Sequence, residues 1–294
     1  MTHTIEGIVA YPVTPFDASG RVDTSALARL LDRMIEAGVD AIAPLGSTGE
    51  SAYLDEREWQ QVAAASVEHA GGRVPTVVGV SDLTTAATAR RAQFAERAGA
   101  AAAMVLPISY WPLTQAELRA HFTAVAESTA LPVMVYNNPA TTGIDMTPEF
   151  LVELVHEVPN IAMIKESSGD IGRMHRIVEL GGGRVPFFNG SNPLALRAFA
   201  AGAAGWCTAA PCLVPERVVE FWRLLRAGED DRAAAIFGKL EPLLTALVSR
   251  GLPTTVKSAL RSTGLDAGDP RMPLLPLEAE RTRELDALVA AVNG

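Results

Sequence analysis

One pattern recurs along the whole chain: a short apolar run of β character, then a longer stretch with helical spacing. "GIVAYPVTPF" precedes "DTSALARLLDRMIEAG", "DAIAPLG" precedes "LDEREWQQVAAASVEHAGG", and "PTVVGVSD" precedes "TTAATARRAQFAERAG". Five more runs, "AAAMVLPIS", "LPVMVYNNP", "NIAMIKES", "VPFFNGS" and "AAGWCTAA", are followed by helical patterns in the same way. The runs lack clean polar alternation, which predicts strands buried on both faces, and a helix between successive strands requires parallel crossovers. Eight units within about 225 residues fit an α/β chain folded as a (β/α)8 TIM barrel. A doubly wound sheet should show its glycine-rich phosphate turn early, and the first connection, "YPVTPFDASGRVD", has no G-x-G-x-x-G. Three further helical patterns, around "DRAAAIFGKLEPLLTALVSRG", "TTVKSALRSTG" and "LEAERTRELDALVAAVNG", are separated by proline and glycine. The expected organisation is a catalytic barrel over residues 1–227 and a helical extension over 228–294 packed on it.

Composition narrows the partners. With 48% hydrophobic residues in 294, the chain has apolar material for a full core. A net charge of -9 and the lack of a Lys/Arg cluster argue against nucleic acid, whose binding normally shows as a basic patch or stripe. "MTHTIEGIVAYPVTPF" lacks a basic segment leading into a long apolar one, and no run approaches the roughly 20 apolar residues of a membrane span, so a cytoplasmic protein is expected. Cys207 and Cys212 in "GWCTAAPC" have no second Cys/His pair beside them and read as small buried thiols. His3, His69, His121, His156 and His175 are scattered without ligand spacing, so no metal and no cofactor are expected.

In a (β/α)8 barrel the active site lies at the C-terminal ends of the strands, so the residues closing each run are the candidates. They are Thr14, the turn Gly46 to Glu50, Ser81 with Asp82, Ser109 with Tyr110, Tyr136 with Asn137, Lys165 with Glu166, Gly190 with Ser191, and Thr208. Lys165 stands out because the chain has only three lysines, with Lys239 and Lys257, among 25 Lys plus Arg. Alternation in "IAMIK" puts Lys165 on one face with Ile161 and Met163, which could be the interior or the helix layer. Inside, desolvation disfavours the charged form of an amine and leaves a nucleophile able to form a Schiff base with a ketone, which arginine cannot do. The plainer alternative is a lysine whose stem packs while its head pairs with Glu166.

Tyr136 closes "VMVY" one strand earlier, where a phenol can serve the proton transfers that Schiff-base chemistry needs. In "PLGSTGESAYL", Gly46 and Gly49 permit a tight turn that aims backbone N–H groups and the Ser47 and Thr48 hydroxyls at one point, a nest suited to a carboxylate. Glu50 reads as a structural acceptor of backbone or hydroxyl hydrogen bonds rather than a catalytic acid.

These motifs in order, G-S-T-G-E, Y-N-x-P and I-K-E, closely resemble the dihydrodipicolinate synthase and N-acetylneuraminate lyase family of class I aldolases, over essentially the whole chain. The resemblance implies a lyase that condenses, cleaves or dehydrates a pyruvate-type 2-oxo acid bound as a Schiff base on Lys165, with Tyr136 as proton relay. Gly46, Ser47 and Thr48, with Gly190 and Ser191, are the expected substrate contacts, and an aldehyde the expected second substrate. It also implies a homotetramer in which an aromatic residue after the fourth strand can complete a neighbour's site, and Tyr110 is the candidate for a relay with Ser47 and Tyr136. The sequence departs from the synthase pattern twice: "YNNPATTG" offers Thr141 where those enzymes typically carry an arginine, and Ser109 precedes Tyr110 where they favour paired tyrosines. Authentic 4-hydroxy-tetrahydrodipicolinate synthase, acting on pyruvate and aspartate semialdehyde, and a non-catalytic 2-oxo acid sensor or scaffold stand as alternatives. A metal-dependent aldolase is disfavoured, because the strand ends lack a histidine and carboxylate set.

Overall fold

The structure is a computed structural model describing residues 5–249 and 251–294; His3 lies outside the described residues. Its strands are β1 (Gly7–Ala10), β2 (Ala41–Ile42), β3 (Val77–Gly79), β4 (Ala102–Val105), β5 (Val133–Asn137), β6 (Ile161–Glu166), β7 (Phe187–Asn189) and β8 (Gly205–Thr208). The helices are α1 (Thr24–Ala37), α2 (Glu56–Ala70), α3 (Thr85–Ala98), α4 (Gln115–Glu127), α5 (Pro139–Thr142), α6 (Pro148–Glu157), α7 (Ile171–Gly181), α8 (Ala195–Ala200), α9 (Pro215–Arg226), α10 (Asp230–Ser249), α11 (Leu252–Leu260) and α12 (Ala279–Asn293). The strands form one sheet in the order β2-β1-β8-β7-β6-β5-β4-β3, paired in parallel. This is the (β/α)8 class with C-terminal helices. Each apolar run contains one strand; the one-turn helix α5, inside "YNNPATTG", is the element periodicity does not reveal.

Two compact units make up the chain, one of residues Thr76–Cys207 and the other of Ile5–Pro75 with Thr208–Gly294. In the first, Val133, Met134 and Val135 of β5 are fully buried and continue into Phe187 and Phe188 of β7, as two-sided burial requires. In the second, α1 turns a stripe of Ala26, Leu27, Leu30, Leu31 and Met34 inward, and α10 buries Leu240, Leu243, Leu244 and Leu247. Local chemistry sets the helix ends. The Asp23 side chain accepts the Ala26 N–H and Gly38 closes α1 in the left-handed region, while Asp55 with Glu58 and Thr114 with Glu117 form capping boxes.

The pair β5 and β6 carries an irregularity that bears on the candidate site. Val133 pairs with Ile161 but Met134 pairs with Met163, so Ala162 is an extra residue in β6. Simple alternation would put Ile161 on the face of Lys165; the bulge breaks it, and Met163 and Lys165 alone keep the parity. Beyond the bulge the register sets Tyr136 opposite Lys165 and Asn137 opposite Glu166.

Gly7 opens β1 at φ 74°, and a Cβ there would sit 2.2 Å from Asp40 Oδ2, the oxygen that accepts the Ile8 N–H at 2.7 Å. Gly7→Ala should therefore lower the unfolding free energy by about 1–3 kcal/mol, read from urea melts; an unchanged midpoint would refute the steric argument.

Candidate active site

Lys165 ends β6 with only 4% of its surface exposed. Its Nζ stands 3.8 Å from the centroid of the Tyr136 ring, across the two paired strands. The amine thus meets the aromatic face of the phenol ring. The Tyr136 hydroxyl accepts a hydrogen bond from Asn138 Nδ2 at 2.8 Å, which orients the phenol and leaves its own proton to be donated.

Glu166 does not pair with Lys165. Neighbours in a strand point to opposite faces, and the Glu166 carboxylate, fully buried, accepts from Asn137 Nδ2 at 3.0 Å and from the Ser168 N–H at 2.6 Å, with Arg173 Nε at 3.6 Å. Arg173 also pairs with Asp145 at 2.9 Å and donates to the Met146 carbonyl, while Asn137 Oδ1 accepts the Met146 N–H at 3.1 Å. This network braces the connection from Asn138 to Met146, where Thr141 sits, against the ends of β5 and β6.

Gly190, directly after β7, gives its N–H to the Glu166 carbonyl at 2.8 Å. A Cβ on Gly190 would fall 1.7 Å from Ser167 Oγ and 2.9 Å from Lys165 Cε, so only glycine lets β7 pass this close to the lysine stem. Ser167 is a group the sequence reading missed. Its Oγ is buried and takes no hydrogen-bond partner among the described residues. The available signal was its parity, two residues beyond Lys165. Ser191 is held by its neighbour, its N–H reaching Asn189 Oδ1 at 2.9 Å and its carbonyl accepting from Asn189 Nδ2 at 3.0 Å.

In the other unit the Gly46 to Glu50 turn differs in detail from the expectation. The left-handed residues are Leu45 at φ 63° and Glu50 at φ 56°, not the two glycines. Each such non-glycine residue costs on the order of 1–3 kcal/mol and persists only when its surroundings over-determine it. Gly49 is needed for space instead, since a Cβ there would lie 3.0 Å from Leu45 N. The Gly49 and Glu50 N–H groups close the turn on the carbonyls of Gly46 (3.0 Å) and Ser47 (3.3 Å), and Thr14 Oγ1 donates to the Gly49 carbonyl at 2.6 Å. Among the described residues, the N–H and hydroxyl groups of Ser47 and Thr48 take no protein partner. Glu50 is structural, but its partners are a lysine and a backbone N–H: Oε1 lies 2.6 Å from Lys257 Nζ and Oε2 accepts the Arg271 N–H at 2.7 Å.

Tyr110 is 88% exposed and packs edge-on against Trp111, itself exposed, with ring centroids 5.6 Å apart. It makes no contact with Tyr136 among the described residues. Cys207 and Cys212 are buried free thiols, and burial pushes the Cys212 thiol up to about 12. His69, His121, His156 and His175 all fall in helices, and among the described residues no cluster of His, Cys, Asp or Glu could hold a metal. None of the described helices is long and apolar enough to cross a membrane.

Comparison with known proteins decides the family. The model of the dihydrodipicolinate synthetase family matches residues 4–292. The chain belongs to this family. It is 35% identical over 282 residues to 4-hydroxy-tetrahydrodipicolinate synthase 1 of Halalkalibacterium halodurans, covering 96% of this chain and 95% of that one. A Pseudomonas aeruginosa structure described as a dihydrodipicolinate synthetase is 52% identical, with a TM-score of 0.96 over 98% of this chain and all of that one. YagE of E. coli K12, a prophage protein of the same family solved in complex with pyruvate, is 28% identical with a TM-score of 0.94 over 99% of both chains. Membership in the dihydrodipicolinate synthetase family makes the protein an enzyme of the lyase and aldolase kind.

For an enzyme of this family the crowding around Gly190 has a kinetic consequence. On the reading that Lys165 is the reacting group, Gly190→Ala, by pushing Ser167 and the Lys165 stem aside, should lower kcat about 100-fold with the circular dichroism spectrum unchanged, because a displacement near 1 Å there costs that much. Turnover within threefold of wild type would show that the close approach is not needed.

Proposed function

We propose that this protein forms a Schiff base between Lys165 and a pyruvate-type 2-oxo acid and uses the resulting enamine to make or break a carbon–carbon or carbon–oxygen bond. The observation that carries the reading is the buried amine of Lys165 in register with Tyr136. The Lys165 amine attacks the ketone carbon, the carbinolamine loses its oxygen as water, and the iminium nitrogen then accepts the electron pair left when a proton or an aldehyde departs from C3. In the other direction the enamine carbon adds to an aldehyde. Tyr136 supplies and recovers the proton at the carbinolamine oxygen, with Asn138 holding its hydroxyl. The Gly46 to Gly49 turn, with the unused donors of Ser47 and Thr48, is assigned the carboxylate, and Gly190 and Ser191 border the lysine stem. In our reading the enzyme is cytoplasmic, without metal or cofactor, and a homotetramer; the exposure of Tyr110 and Trp111 supports a neighbouring subunit there.

The curated relative's name favours a narrower second reading, condensation of pyruvate with aspartate semialdehyde. Thr141, where the synthase pattern carries arginine, speaks against it, since a threonine lacks the fork that grips a carboxylate bidentately.

Borohydride reduction with pyruvate should add a pyruvate-derived mass to the peptide bearing Lys165, and Lys165→Ala should abolish it. No adduct with pyruvate or a panel of 2-oxo acids would refute the covalent reading. Tyr136→Phe should keep the adduct while lowering kcat about 10²–10⁴-fold. In an assay of pyruvate with aspartate semialdehyde, wild type should form the cyclic product much more slowly than it turns over a 2-keto-3-deoxy acid; the reverse order would establish the synthase.

A further inference from the structure

Two of the three lysines are buried, and the proposed chemistry uses one. Lys257, on α11, is fully buried, and its Nζ lies 2.6 Å from Glu50 Oε1, 3.9 Å from the centroid of the Phe16 ring and 3.2 Å from the Asp269 carbonyl that accepts its hydrogen bond. Burial lowers its pKa below the ordinary lysine value, and the Glu50 charge opposes that shift. The other Glu50 oxygen takes the Arg271 N–H at 2.7 Å. The Arg271 guanidinium covers Phe16 at 4.3 Å, pairs with Glu58 (Nη2 to Oε1, 2.9 Å) and donates to the carbonyls of Tyr53 and Gly20 at 3.2 and 2.6 Å. Both oxygens of one turn residue are thus held by a segment more than 200 positions further along the chain.

The residue so held is the left-handed one that ends the Gly46 to Glu50 turn. Nothing in a glutamate backbone prefers that conformation, so the side-chain anchor is what selects it. A buried ion pair adds little net stability over apolar residues of equal volume, and its best-attested use is to fix one arrangement among several. From these contacts we infer that Lys257 is a positioning residue: through Glu50 it holds the turn in the conformation that presents Ser47 and Thr48 to the substrate carboxylate. The inference rests on the assignment of that turn to the carboxylate.

Steady-state kinetics on three variants test it. Thr48→Val checks the assignment and should raise the KM for the 2-oxo acid about tenfold. Lys257→Met leaves the Glu50 charge buried alone and is expected to fold poorly, so the decisive protein is Glu50→Gln with Lys257→Met, which removes both charges at similar volume. That double variant should show an unfolding midpoint close to wild type, a KM raised about tenfold, a kcat within threefold, and full borohydride trapping on Lys165 at saturating pyruvate. A role in stability alone would move the midpoint and leave KM in place. If Thr48→Val raises KM and the folded double variant does not, Lys257 has no positioning role. If Thr48→Val leaves KM unchanged, the carboxylate assignment falls and the inference with it, while trapping on Lys165 still reports on the covalent chemistry separately.

Discussion

The pairing of β5 with β6 is the constraint on which the proposed chemistry depends. Opposed residues on adjacent parallel strands share a face, so the register that sets Tyr136 against Lys165 brings a phenol ring and an amine together without any loop having to place them. The same register, one residue on, sets Asn137 against Glu166 on the other face, where a buried carboxylate with three partners locks the strand ends. One pairing therefore builds the proposed reactive pair and its support on opposite sides of the sheet. The extra residue Ala162 lies before both, so the irregular part of β6 is spent upstream and the last four residues run true.

Much of this was legible in the sequence, for a physical reason. Strands buried on both faces need continuous apolar runs, so the eight-fold alternation could be seen directly. Lys165 and Tyr136 stood out as candidates because a barrel exposes chemistry at its strand ends, and few residue types there can act as nucleophile or proton carrier. What stayed hidden is non-local. No pattern within "GSTGE" says that Glu50 meets a lysine 207 positions later, and Lys257 looked like an ordinary helix residue in "TTVKSALRSTG". Periodicity also could not reveal the bulge at Ala162, because one inserted residue leaves the composition of the run unchanged.

The turn shows where local sequence and backbone conformation part. Two glycines in five residues permit a tight turn, and the structure divides the work differently: Leu45 and Glu50 supply the left-handed conformation, while Gly49 lets the chain pass Leu45. The distinction matters for what a substitution would do. Replacing a glycine that provides space creates a collision, whereas releasing a non-glycine residue from a left-handed conformation relieves strain and lets the turn relax elsewhere.

That difference explains why an ion pair suits this position better than a tighter turn sequence. Glycine at position 50 would accept the conformation at no cost but would equally accept others, because it has no side chain to be held. Glutamate resists the conformation and is forced into it by Lys257 and the Arg271 N–H, so the energy that separates the productive turn from its alternatives comes from the anchor. Removing one member of such a pair leaves an uncompensated buried charge, at a cost of about 3–5 kcal/mol, so the turn cannot drift without the rest of the unit registering it. The segment from α11 to α12, which adds no strand to the sheet, thus holds a residue in the first quarter of the chain through Lys257 and the Arg271 N–H.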